Sequence, residues 1–130
     1  MKARIIYIAS PYAGDIERNI AFARDACRYC AEQGNTPLAV HLLYPQIYDD
    51  ADPAERARCL RMGLHLLERC DELWCCGDTI SPGMRGELLC AKELGIPIRY
   101  VSAEEILVFT QKKTGFPEEY QEPQSRMLLA

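Results

Sequence analysis

At 130 residues, 48% of them hydrophobic, the chain is sized for a single domain with a buried core. A formal net charge of −4, a pI near 5.2 and no basic stripe exclude a nucleic-acid partner, and no apolar run of about 18 residues directs the chain into a membrane. The expected location is the cytoplasm, in keeping with seven cysteines at irregular spacings that suit reduced thiols better than a disulfide framework.

The first predicted element is the β-branched run Ala3 to Ala9, which ends in the turn formers Ser10-Pro11-Tyr12-Ala13-Gly14-Asp15. Asp15 then serves as N-cap to a helix of about five turns in which Ile16, Ile20, Ala23, Cys27 and Cys30 recur on one face until Gly34. Thr36 to Val40 reads as a second, short strand, and His41 to Asp50 as an aromatic loop at its carboxyl end. Asp52-Pro53-Ala54-Glu55 combines an N-cap, a first-turn proline and a capping-box glutamate, opening a helix with Leu60, Leu64 and Leu67 inward and an end near Cys70. Glu72 to Cys76 is a buried strand.

The best-marked stretch is Ser81 to Gly95. Ser81 is a natural N-cap, Pro82 suits the first helical position because its missing N–H would be unpaired there, and Gly95 can close the helix in a left-handed conformation. Met84, Leu88 and Ala91 form the stripe that packs on a sheet, with Gly83, Glu87 and Cys90 along its edge. Glu87 therefore stands near the carboxyl end of the preceding strand, where open α/β sheets bind ligands. On pattern alone, however, it reads as a solvated carboxylate favoured by the helix dipole. Ile96 to Val101 is the fourth strand, and a short helix follows through Ile106 and Leu107 to about Phe109.

This alternation predicts an α/β fold: a single-domain three-layer sandwich on a parallel, flavodoxin- or Rossmann-like sheet of about four to five strands, spanning residues 1–109. Residues 110–130 read as a polar C-terminal tail. Cys27-Arg28-Tyr29-Cys30 spells C-x-x-C but lies inside a helix, away from the N-terminus that lowers a thiol's pKa, so core filling is the expected role. No second C-x-x-C or histidine pair completes four ligands, so neither a metal nor another cofactor is expected.

Tyr7-Ile8-Ala9-Ser10-Pro11-Tyr12, together with Ser81-x-Gly83-x-x-x-Glu87, resembles the nucleoside 2-deoxyribosyltransferase-like superfamily. His41-Leu42-Leu43-Tyr44-Pro45 and Cys70-Asp71-Glu72-Leu73-Trp74 look more narrowly like its DUF4406-type members. The resemblance covers about residues 3 to 101. It implies an enzyme acting on the N-glycosidic bond of a nucleoside or nucleotide, as a 2-deoxyribosyltransferase or a deoxynucleoside 5′-monophosphate N-hydrolase. Glu87 would be its nucleophile and Tyr7 the phenol that holds the carboxylate in attacking geometry. Ser10, Pro11, Tyr12, His41, Tyr44, Ser81 and Gly83 would then bind substrate. Serine at position 81, where the transferases carry aspartate, favours a phosphorylated ligand. The resemblance also implies a homodimer or larger homo-oligomer, because relatives complete their pocket with residues of a neighbouring chain.

Two departures stand beside it. Relatives carry an acid for the departing base at the position of Gly63, with His65 and Glu68 as same-helix substitutes that are out of phase. The first loop lacks the phosphate-binding arginine, with Ala13 near its place and Arg18 or Arg85 as alternatives. A non-catalytic nucleotide-binding module that has lost the acid is therefore the second reading. His41 reads either as a partner for a strand-end carbonyl or as a ligand contact.

Overall fold

The computed structural model describes residues 4–114, and every statement below concerns these. Four parallel strands, β1 (Ile5–Ala9), β2 (Thr36–Leu38), β3 (Glu72–Cys76) and β4 (Ile98–Val101), form one sheet in the order β2-β1-β3-β4. Helices α1 (Ile16–Ala31), α2 (Pro53–Leu67), α3 (Pro82–Leu94) and α4 (Ala103–Thr114) cover it. β1 pairs with β2 on one side and β3 on the other, so the strand order reverses at β1, the switch point beside which such sheets bind ligands. β2 is an edge strand, which accommodates the missing N–H of Pro37.

The period-two alternation of strand side chains divides the core into two layers. Ile6 and Ile8 of β1 join Trp74 and Cys76 of β3 against Ala26 and Cys30 of α1 and Ile106 of α4. Tyr7 and Ala9 point the other way, with Leu73 and Cys75, to meet Leu67 of α2 and Met84, Leu88 and Ala91 of α3. The helix–sheet–helix sandwich follows directly. Asp71 pins the sheet at its amino end: its carboxylate accepts the Ile5 N–H at 2.7 Å and its own N–H donates to the Ile5 carbonyl at 2.8 Å.

The helix limits follow their caps. Asp15 accepts from the Arg18 N–H at 3.2 Å, Asp52 from Ala54 and Glu55, and Ser81 from Met84 at 3.2 Å. Three expectations are corrected. Val40 does not end β2 but begins a 3-10 turn (Val40–Leu42), followed by a second (Tyr44–Gln46), because the chain must drop from the sheet edge towards α2. Ile16 and Leu60 are 44% and 46% exposed rather than packed on the sheet, Ile16 because it opens α1 and Leu60 because it lines an open cavity beside α2. α4 continues to Thr114, past the expected limit near Phe109, and the remainder of the expected tail lies outside the described residues. None of the described helices is long and apolar enough to cross a membrane.

Gly95 closes α3 at φ 72° and ψ 23°, a left-handed conformation that a side chain disfavours. Gly95→Ala should cost about 1 kcal/mol, read as a lower urea midpoint with an unchanged slope.

Candidate functional site

Tyr7 sits at the centre of β1, opposite Leu38 of β2 and Leu73 of β3, with its ring on the α2/α3 face. Glu87 lies in the second turn of α3 on the same buried side as Met84, Leu88 and Ala91, and is only 7% exposed. The solvated reading of this carboxylate therefore does not hold. The Tyr7 hydroxyl donates a hydrogen bond to Glu87 Oε2. Glu87 Oε1 is buried without a hydrogen-bond partner among the described residues.

Burial pushes the Glu87 carboxyl from its ordinary 4.5 up to about 7, against the opposing pull of the Tyr7 hydrogen bond. Burial, with the glutamate beside it, pushes the Tyr7 phenol far above its usual range, so it remains a donor. The pair thus combines a carboxylate poised near neutrality with a fixed O–H.

Both residues line a cavity of about 230 Å³. Val40, His41, Tyr44 and Pro45 reach it from the two 3-10 turns, and Cys59, Leu60, Gly63 and Leu64 from α2. The first turns of α3 contribute Pro82, Gly83 and Gly86, while Tyr48, Asp50 and Arg56 come from the loop before α2 and its first turn. Mostly apolar and aromatic walls with a few convergent polar groups are the usual make-up of a small-molecule site.

Of the residues singled out in the sequence, the fold brings Tyr7, His41, Tyr44, Gly83 and Glu87 to this cavity. Ser81 caps α3, and Pro82 and Gly83 represent that helix start in the lining. Ser10, Pro11 and Tyr12 are not among the lining residues. Ser10 is buried with its Oγ unpartnered among the described residues, and the Tyr12 ring stacks on His41, centroids 5.2 Å apart at 23°. Tyr12 is held in turn by the Asn19 amide, which donates to the Tyr12 and Ala13 carbonyls at 2.9 Å each.

Gly63 faces the cavity: a Cβ there would stand 3.3 Å from the Tyr7 hydroxyl oxygen and 3.7 Å from a Val40 methyl. His65 and Glu68 are exposed and outside the lining, as are Arg18 and Arg85. The cation in the lining is Arg56. Asp50, Arg56 and Cys59 were missed by sequence reasoning, although Arg56, Leu60, Gly63 and Leu67 recur at helical spacing and trace the inward edge of α2. The described residues contain no cluster of three or more His, Cys, Asp or Glu able to hold a metal ion.

A folded-state pKa of about 7 against an ordinary 4.5 means that the folded protein retains the Glu87 proton to higher pH than the unfolded chain does. The stability associated with the protonated form is complete below about 4.5 and is lost as pH rises through about 7. Denaturant titrations should show wild type losing on the order of 3 kcal/mol relative to Glu87→Gln between these limits, a gap set by the 4.5-to-7 shift. Parallel stability profiles for the two proteins would exclude a buried, titrating Glu87.

The fold is that of 2-deoxyribosyltransferases. The enzyme from Bacillus psychrosaccharolyticus aligns with a TM-score of 0.63 at 20% identity, covering 75% of this chain and 72% of its own. A 2-deoxyribosyltransferase from Leishmania mexicana aligns with a TM-score of 0.56 at 19% identity, covering 76% of this chain and 64% of its own, less than two thirds of that protein. No curated protein sequence matches the chain. The motifs that resembled DUF4406-type members lie within residues 4–101, and the family model matching that span is a different one. The chain belongs to the family described as a domain of unknown function, DUF7768.

Proposed function

We propose that the cavity binds a nucleoside or nucleotide and that Glu87 cleaves or exchanges its N-glycosidic bond with retention of configuration. The observation that carries this reading is the Tyr7–Glu87 pair in the cavity lining, one carboxylate oxygen fixed by the phenol and the other buried without a hydrogen-bond partner among the described residues. The fold shared with 2-deoxyribosyltransferases supports the same chemistry.

In the first step an electron pair of Glu87 Oε1 forms a bond to the anomeric carbon as the carbon–nitrogen bond breaks, its pair leaving with the base nitrogen. That nitrogen takes a proton from solvent, since α2 offers no acid at Gly63. In the second step water attacks the same carbon, the ester bond returns its pair to Glu87, and the water's proton passes to solvent; a second base in place of water gives transfer. The Tyr7 hydrogen bond holds the rotamer throughout. The apolar walls around Tyr44, Leu60 and Leu64 suit the faces of a base, and Gly83 and Gly86 leave room for a sugar against the α3 backbone.

Gly63 favours the second reading, a binding module without turnover. The two are separated by mass spectrometry after incubation with deoxynucleosides and deoxynucleotides bearing activated leaving groups. A pentosyl adduct on the peptide containing Glu87, with turnover reduced at least about 10³-fold in Glu87→Ala, is the expected result. Binding with neither adduct nor released base leaves only the module.

Attack requires the ionised carboxylate, so the rate should rise with pH through about 7. The Tyr7 bond lowers the Glu87 pKa, so Tyr7→Phe should move the midpoint upward as well as slow the reaction. An unmoved midpoint would remove Tyr7 from this role.

The working unit in this reading is a homodimer or larger, because Leu43, Ile47 and Leu60 stand 45%, 61% and 46% exposed on and beside the segments that line the cavity. Sedimentation at micromolar concentration should show it; a monomer would exclude it.

A further inference from the structure

Two sets of polar groups stand in the cavity lining. Tyr7 and Glu87 form one, and the field of Glu87 falls on Tyr7 and Cys75. His41, Asp50 and Arg56 form the other, where the field of Asp50 falls on His41, Tyr12 and Cys59. Val40, Leu60 and Leu64 are apolar members of the same lining, and Tyr44 stands near enough to Tyr7 for its field to fall there. A ligand whose sugar lies on Glu87 places its base among these side chains and the base's polar edge at the second set.

Asp50 is held for such a task. The Asp49 N–H donates to Glu55 Oε1 at 2.9 Å, and Asp49 Oδ1 accepts the Ala51 N–H at 2.9 Å. Asp52 then caps α2, so both chain neighbours of Asp50 are fastened to the helix start or to one another. The Asp50 side chain is 40% exposed and reaches Arg56 only at 4.0 Å, the outer limit of an ion pair, which leaves acceptor sites open on a residue of the cavity lining. Burial holds His41 below its usual range, so the imidazole is neutral at pH 7 and does not compete as a cation for the Asp50 carboxylate. With glycine at position 63, the acidic residues in the lining are Glu87 and Asp50.

Resting on the nucleoside reading, we propose that Asp50 is the specificity-determining residue of this site, accepting hydrogen bonds from an amino group on the base edge. The cavity then takes amino-bearing bases of the adenine or cytosine type over their oxo counterparts. An ionised carboxylate accepts and cannot donate, so a carbonyl at the same place sets two acceptors against each other and leaves both unpaired. Sites built on such polar matching reject the unmatched analogue far more strongly than apolar pockets do. Half-exposure of Asp50 reduces the effect here to about tenfold.

The test is calorimetric binding of deoxyadenosine against deoxyinosine, and of deoxycytidine against deoxyuridine, to the full chain carrying Glu87→Gln so that no turnover intervenes. The amino member of at least one pair should bind about tenfold or more tightly. Adding Asp50→Asn, whose amide both donates and accepts, should bring that ratio to within about twofold, and Asp50→Glu should keep the preference. Equal affinities within both pairs, or a ratio that survives Asp50→Asn in a protein with the parent's circular dichroism, would overturn the assignment of Asp50 alone. Failure of all four ligands to bind would overturn the nucleoside reading with it.

Discussion

The hydrogen bond from the Tyr7 hydroxyl to Glu87 ties the middle of the sheet to the second turn of α3, and the cavity is what the fold leaves around it. A carboxylate taken out of water needs hydrogen bonds to its charged form, and here the phenol supplies one while Oε1 stays unsatisfied among the described residues. The imbalance raises the carboxyl to about 7. A purely structural core would fill this position more stably with an apolar side chain. Groups kept at such a cost concentrate where chemistry or ligand binding uses them.

Maintaining that space depends on what α2 omits. Its last turn packs Leu67 fully into the core, whereas one turn earlier Gly63 presents no side chain to the Tyr7 hydroxyl. A Cβ there would crowd the Tyr7 hydroxyl at 3.3 Å while meeting Val40 at ordinary contact distance, and a longer side chain would reach into the cavity. The two 3-10 turns after β2 also line the cavity, and the cap at Asp52 holds the loop that carries Asp50. The cavity is therefore assembled from β1, the continuous stretch from the 3-10 turns through α2, and α3.

The other face of the sheet is built for stability. Trp74 lies under the Arg99 guanidinium, 4.4 Å from ring centroid to Cζ, and Arg99 pairs with Glu105 at 3.0 Å while the Tyr29 hydroxyl donates to the same carboxylate. Cys30 and Cys76 fill this layer as small apolar groups, with burial pushing both thiols up to about 12. Cys27, half-buried beside them, rises to about 11. The C-x-x-C spacing thus places two protonated thiols in or against a core, without the thiolate that redox or metal chemistry requires.

Local chemistry was enough to place the four strands and four helices along the chain, though not the 3-10 turns after β2. Caps at Asp15, Asp52 and Ser81, the left-handed Gly95 and the alternation of β1 and β3 each act over a few residues, so the order of strands and helices and the parallel α/β architecture were legible in the sequence. Tyr7 and Glu87 could be named, yet 80 positions separate them and no local pattern records that one donates to the other. Burial of Glu87 was likewise a tertiary decision: an edge position on an amphipathic helix is wet or dry according to what the sheet and α2 place over it. Asp50 and Arg56 read as an ordinary loop and first helical turn, because their convergence with His41 depends on how the chain descends from β2. Sequence determines which groups are available and on which face of their own element they stand; only the packing of the elements decides which of them share a cavity, since contact, burial and the resulting shift in proton affinity belong to pairs of residues from different segments.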